Sequence, residues 1–190
     1  MKYKLLNAQR QFLEIPHSYS LDVAVYQGGY GSGKTFAGAL LGILLSLKFP
    51  GIRGLVGAQT YSLVRDTTLQ TYFEHLDSIG FVSGVDYKWV SSEQKLVFHN
   101  GSEILFRHFD EPDKLKSLNL GFVEIEEMSD VPYDTFKMLL ARMRQRISPK
   151  WKHFTYRIFG HTNPEIQKGW IYKTFFVDPP PNYRLICAPT

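Results

Sequence analysis

Cysteine is almost missing from this chain: Cys187 stands alone among 190 residues, so no internal disulfide can form and a disulfide-stapled scaffold is excluded. A reducing compartment is expected. Long apolar runs are lacking too. The longest, Phe36 to Leu45, falls well short of the ~20 residues that a membrane span requires. The first residues carry no basic start followed by an apolar stretch and a small-residue cleavage site, so neither a leader nor a membrane role is expected. Internal repeats, low-complexity tracts and interior linkers rich in Pro, Gly and Ser are missing as well, and nothing marks a boundary inside the chain. One compact domain over 1–190 is the expectation, since 44% hydrophobic content at this size buries roughly 70% of the unfolded surface. Charge of one sign does not dominate either. The net charge of +4 and pI of 9.1 permit a polyanionic partner without requiring one. Basic residues gather at Arg142, Arg144, Arg146, Lys150 and Lys152, a stretch that reads either as a solvated helix end or as a nucleic-acid contact.

What is present alternates between strand and helix patterns. Val23 to Tyr26 is a short apolar strand, and Phe36 to Leu47 is a helix apolar on nearly every side, ended by Pro50-Gly51. Leu55 to Ala58 reads as the next strand. Leu69, Tyr72, Phe73, Leu76 and Ile79 follow at helical spacing, with Gly80 as the C-terminal cap. Lys88 to Val90, Lys95 to His99 and Glu103 to Phe109 read as hairpin strands, the last two turned by Asn100-Gly101. Phe122 to Ile125 is a further strand. Ser129 or Asp130 is expected to cap a helix that has Pro132 in its first turn and Phe136, Leu139, Leu140 and Met143 on one face. Tyr156 to Gly160 supplies another strand. After the connector-like Asp178-Pro179-Pro180-Pro181-Asn182, Tyr183 to Ala188 supplies the last. This alternation predicts an α/β fold with a mainly parallel central sheet flanked by helices, plus a β-hairpin insertion.

The most informative segment is Gly28-Gly29-Tyr30-Gly31-Ser32-Gly33-Lys34-Thr35, the P-loop pattern placed between a strand and a helix. At an average glycine frequency of about 7%, a chain of this length meets the pattern by accident in roughly one case in a hundred or fewer. Glycines admit positive dihedrals and let N–H groups turn inward as an anion nest at a helix N-terminus. Lys34 is then placed to reach the β- and γ-phosphates of ATP, and Thr35 to put its hydroxyl on a bridging Mg2+. A second element, Gly121-Phe122-Val123-Glu124-Ile125-Glu126-Glu127, ends a strand in adjacent carboxylates that can divide the work. Glu126 would hold the magnesium shell and Glu127 would polarise the attacking water. Glu124 interrupts the apolar run, and Glu126 is one methylene longer than the usual Asp.

Three more segments resemble those of a known family. Tyr61-Ser62-Leu63-Val64-Arg65-Asp66-Thr67 follows a strand, Asp113-Lys114-Leu115-Lys116-Ser117 precedes the glutamates with a helix ending at Ala141-Arg142-Met143-Arg144 after them, and Gly160-His161-Thr162-Asn163-Pro164 closes a strand. The ordered set resembles the N-terminal packaging ATPase of large terminase subunits from tailed double-stranded DNA phages. That resemblance implies an ATP-hydrolysing motor that translocates double-stranded DNA into a capsid. It further implies a self-assembled ring at the portal, a small terminase subunit as partner, and work in the host cytoplasm. It implies Thr162 and Asn163 as coupling residues that sense the γ-phosphate, and Gln9, within Leu5-Leu6-Asn7-Ala8-Gln9, as the adenine reader, an amide able to donate and accept at once. No acidic cluster of the family's C-terminal nuclease is found, so an ATPase domain without that nuclease is expected. Many relatives carry Arg in the P-loop where this chain has Tyr30. The trans-acting finger then falls to Lys116, with Arg142 as the second candidate, although a lysine lacks the planar guanidinium fork and Lys116 equally reads as an exposed loop residue. Two other functions share these motifs: a helicase-like DNA-remodelling ATPase, and an ATP-gated assembly module that would not need Glu127.

Overall fold

The computed structural model describes residues 4–14, 20–164 and 169–188. Its elements run α1 (Asn7–Leu13), β1 (Leu21–Gln27), α2 (Lys34–Lys48), β2 (Arg53–Ala58), α3 (Tyr61–Leu63), α4 (Leu69–Ser78), β3 (Tyr87–Val90), β4 (Lys95–Phe98), β5 (Glu103–His108), β6 (Phe122–Ile125), α5 (Tyr133–Leu140), β7 (Tyr156–Thr162), α6 (Trp170–Tyr172) and β8 (Tyr183–Cys187). β1, β2, β6 and β7 are buried along almost their whole length, a pattern that demands cover on both faces of a sheet. The alternation supplies it. Ala24 and Tyr26 of β1 join the core beneath α1, α2 and α4, while Val23 and Val25 join a second core with Phe136, Leu139, Ile171 and Phe175 of the opposite side.

The strands among the described residues form one eight-stranded sheet in the order β3-β4-β5-β2-β6-β7-β1-β8. Every pairing from β5 through to β8 is parallel. The hairpin β3–β4 continues the sheet antiparallel beyond β5, so the insertion extends one edge rather than standing apart. The order places β7 between β1 and β6, with Gln27 opposite Thr162 and Ile125 opposite Gly160. The P-loop, the carboxylates and the Thr162-Asn163 pair therefore leave the sheet side by side at the C-terminal strand ends, the usual place for ligands in such sheets.

Several boundaries depart from the sequence reading for visible reasons. Helix α2 begins at Lys34 and so includes Thr35. The expected cap of α5 by Ser129 or Asp130 is not formed: both lie in a separate 3-10 turn, Met128–Asp130, and the Ser129 hydroxyl is spent on the Glu127 carboxylate. Pro132 is the residue that precedes the helix. Nor does α5 reach Arg144; it ends at Leu140, because the Leu120 N–H donates to the Arg142 carbonyl (2.9 Å) and the Gln145 N–H to the Leu120 carbonyl (3.2 Å), an extended pairing that replaces further helical turns. The basic stretch Arg142 to Lys152 thus holds no regular helix. The helix read from Leu69 is preceded by α3 and a π turn, Val64–Thr68, and π turns often mark functional sites. Its end is as expected. Gly80 adopts φ +80°, and the bonds Gly80 N–H to Asp77 O and Phe81 N–H to Leu76 O complete a Schellman motif.

Candidate nucleotide and hydrolysis site

The P-loop is braced from below before any ligand is considered. Gly31 and Gly33 take φ +76° and +73°, where a side chain would be strained. A Cβ on Gly33 would also lie 2.2 Å from the Gln9 amide nitrogen. The Tyr26 hydroxyl donates to the Ser32 carbonyl (2.9 Å), and Gln9, only 6% exposed, donates to the Gly33 carbonyl (3.2 Å) while accepting from the Leu6 N–H (2.8 Å). Gln9 therefore sits under the loop as a brace, away from the cleft that the loop lines. Among the described residues no side chain caps the N-terminus of α2, whose first N–H groups are left to the loop's concave side, an arrangement suited to an anion.

That concave side opens on a cleft of about 740 Å³ shared by the P-loop, Glu126, Glu127 and Asn163. Tyr30 stands at its edge, 96% exposed, with the Lys34 ammonium 6.0 Å from its ring centre. The three Lys34 donors reach the carbonyls of Gly28 (2.7 Å) and Gly29 (3.1 Å) and the Asn163 side-chain oxygen (3.0 Å).

The two carboxylates are held in different ways. Glu126 is 6% exposed; its Oε2 accepts from the Thr68 hydroxyl (2.6 Å), and its Oε1 lies 3.5 Å from the Thr35 hydroxyl and 3.2 Å from His161 Nδ1. Burial would raise its pKa, but the His161 charge, with the hydroxyl bonds of Thr68 and Thr35, outweighs that and holds it below the usual carboxylate value. Glu127 adopts a left-handed backbone, φ 43° and ψ 64°, which turns its carboxylate off the strand direction. Its Oε1 accepts from the Thr162 hydroxyl (2.8 Å), the Asn163 N–H (2.8 Å) and the Ser129 hydroxyl (3.2 Å), and its Oε2 from the Asn163 side-chain amide (2.9 Å). Asn163 consequently joins the P-loop lysine to Glu127 through a single side chain.

A magnesium ion fits these residues. Thr35 and Glu126 present two oxygens at the cleft, and Mg2+ takes few protein ligands, filling the rest of its octahedron with water and phosphate oxygens. Lys116 and Arg142 are not in the cleft. Lys116 is paired with Asp113 (2.6 Å), its side chain 61% exposed, and the Arg142 guanidinium donates to the Lys116 carbonyl, so the two finger candidates share one outer patch. Thr68, Glu124, Ser129 and His161 went unassigned in the sequence. For Glu124 there was a signal: it lies two residues from Glu126, which in a strand means the same face.

His161, fully buried, lies between Glu124 and Glu126, its Nε2 3.3 Å from Glu124 Oε1. Burial opposes an imidazolium, yet the flanking carboxylates prevail and push His161 up to about 10.

Known proteins similar to this chain include large terminase subunits of phages. A family model for the phage terminase large subunit matches residues 21–185. The PBSX phage terminase large subunit of Bacillus subtilis (strain 168) is 38% identical over 152 residues, which cover 80% of this chain and 33% of that protein. The solved large terminase of a thermophilic bacteriophage superposes with a TM-score of 0.78 at 14% identity, covering 97% of this chain and 46% of the other. The ATPase domain of the Thermus phage P74-26 large terminase gives 0.65 at 16% identity, covering 98% and 81%. At such identities the superpositions establish the fold. The chain spans about a third of the length of its curated relative. With the family model matched along most of its length and the P-loop, glutamate pair and Thr-Asn end converging on one cleft, this chain belongs to the phage terminase large subunit family.

Proposed function

We propose that this chain is the ATP-hydrolysing motor domain of a terminase that drives double-stranded DNA into a capsid. The observation that carries the reading is the convergence of Lys34, Glu126, Glu127 and Asn163 on one cleft beneath a P-loop. The α2 N-terminus and the loop amides receive the phosphates, and Lys34 exchanges its carbonyl partners for phosphate oxygens. Thr35 and Glu126 would hold Mg2+, which would supply positive charge beside the phosphate oxygens. Glu127 orients a water and takes its proton as the new oxygen–phosphorus bond forms and the bridging bond to ADP breaks. Gln9 contributes by bracing Gly33, and the adenine edge is proposed as its further contact.

Thr162 and Asn163 couple this chemistry to movement. Asn163 contacts Lys34 and Glu127 together, so a change in phosphate occupancy at Lys34 alters the hold on the carboxylate and on the end of β7. The partners proposed with this activity are the portal, the small subunit, further copies in a ring, and the nuclease domain of the full-length protein, all meeting in the host cytoplasm. Lys116, exposed, and Arg142, half-buried beside it, lie outside their own cleft, and one of them is proposed to serve a neighbour's. The test is ATP turnover measured alone, with DNA, and with DNA plus empty capsids and portal. Stimulation that requires the capsid supports the motor reading, whereas full stimulation by DNA alone would favour a helicase-like enzyme and overturn it.

A further inference from the structure

Behind Glu126 runs a buried chain of polar groups that the hydrolysis scheme leaves unused. The Tyr72 hydroxyl of α4 donates to Glu124 Oε2 (2.6 Å), Glu124 Oε1 faces His161 Nε2 (3.3 Å), and His161 Nδ1 faces Glu126 Oε1 (3.2 Å). Tyr72, Glu124 and His161 are each 0% exposed, and Glu126 is 6%. Each ring nitrogen thus lies close to a carboxylate oxygen, 3.3 Å from Glu124 and 3.2 Å from Glu126, so one buried ring stands between the two side chains. Two carboxylates on one face of one strand end are thereby spanned by a single ring.

The P-loop helix is shaped around this chain. Gly38 and Gly42 lie in the interior of α2, where glycine is a poor helix former, and both face the relay. A Cβ at Gly38 would stand 2.3 Å from Glu124 Oε1 and 3.0 Å from the His161 ring; one at Gly42 would stand 1.8 Å from the Tyr72 hydroxyl. The helix forgoes side chains where the polar chain passes. Among the groups facing His161, Glu126 is the one that also lines the cleft.

We propose that His161 is a positioning residue for the metal site: anchored through Glu124 and Tyr72, its ring fixes the Glu126 carboxylate beside Thr35 so that the pair can hold a divalent cation. The proposal rests on the reading of Glu126 as a metal ligand. His161 is argued to act through its 3.2 Å contact with Glu126, as groups placed behind metal ligands commonly do.

The test uses Mn2+ as the probe, titrated by electron paramagnetic resonance into the chain with ADP present, alongside ADP binding in EDTA. Glu126→Gln serves as the control for the metal reading and should lose ADP-dependent Mn2+ binding. His161→Gln should weaken Mn2+ binding roughly 10- to 100-fold, the range seen when a partner behind a metal ligand is removed, while metal-free ADP binding stays within about twofold. Gly38→Ala, which alters no polar group but intrudes on Glu124 and His161, should shift Mn2+ affinity in the same direction, and Glu124→Gln should do so too. These two variants keep the question answerable if His161→Gln does not fold. Unchanged Mn2+ affinity in the folded variants, with Glu126→Gln impaired, overturns the proposal and leaves the metal reading standing. A parallel fall in metal-free ADP binding and Mn2+ affinity would make His161 merely structural and also overturn it. If Glu126→Gln itself retains Mn2+, the metal reading falls and the proposal with it.

Discussion

Asn163→Ala is the perturbation that separates binding from chemistry most cleanly. The side chain makes two charge-assisted bonds, one accepted from Lys34 (3.0 Å) and one donated to Glu127 Oε2 (2.9 Å). Truncation removes both. Glu127 Oε1 keeps its bonds from Thr162, the Asn163 N–H and Ser129, so the carboxylate stays near its place but Oε2 is released to swing. A hydrogen bond to a charged group contributes about 1.5–3 kcal/mol, which, if expressed in orienting the attacking water, slows the chemical step by about 10- to 150-fold. Lys34 meanwhile loses a competitor for the phosphates while retaining its bonds to Gly28 and Gly29. Nucleotide affinity should therefore hold within about threefold, a difference below ~1 kcal/mol. Equilibrium titration with a fluorescent ATP analogue gives the affinity, and phosphate release under single turnover gives the rate. A rate within twofold of the parent protein, or an affinity that falls by the same factor as the rate, would refute the link between Lys34 and Glu127.

Two other outcomes follow, the first from the proposed ring and the second from the geometry. In a ring assembled on capsids, Lys116→Ala and Glu127→Gln subunits should each be nearly inactive alone, yet mixing them should restore hydrolysis at interfaces that pair an intact finger with an intact carboxylate; normal turnover by Lys116→Ala alone removes Lys116 from the role, and the same mixture with Arg142→Ala then tests its neighbour. Away from the site, Glu103 of β5 is paired with Arg53 of β2 and with Lys95 (3.3 Å); burial would raise its pKa, but these two cations outweigh it and hold it below its usual 4.5. Because the folded value is the lower one, the stabilisation is present above about pH 4.5 and is lost as pH falls through the depressed value. Urea unfolding of Glu103→Gln should accordingly show a deficit near neutrality that closes in acid, and a deficit independent of pH would contradict the assignment.

The parts legible in the sequence are those set by local pattern. Apolar runs located the strands, and β6 was read to the residue because Phe122 to Ile125 is bounded by a glycine and by carboxylates. Gly80 announced its Schellman cap, since only a left-handed position there favours glycine. The P-loop was equally plain, for its glycines are demanded by backbone geometry. What escaped were consequences of strand order. Thr68 reaches Glu126 only because a π turn rotates the start of the helix, and no propensity encodes such a turn. His161 and Glu124 meet because β7 lies beside β6, a neighbour relation fixed by the parallel crossovers. The α5 cap failed for a similar reason: Ser129 had the right chemistry for the helix, but the left-handed Glu127 brought its hydroxyl to a stronger acceptor. The bond from the Gln9 amide to the Gly33 carbonyl is likewise set by the fold rather than by local pattern.

The central claim is that Lys34 binds and Glu127 cleaves within one cleft, and single-turnover hydrolysis with enzyme in excess over radiolabelled ATP tests it directly. Glu127→Gln should bind ATP like the parent chain and convert it about 10²–10⁴-fold more slowly, as expected when a water-orienting base is lost, while Lys34→Ala should fail at binding itself. Conversion of bound ATP by Glu127→Gln at the parental rate would contradict the account.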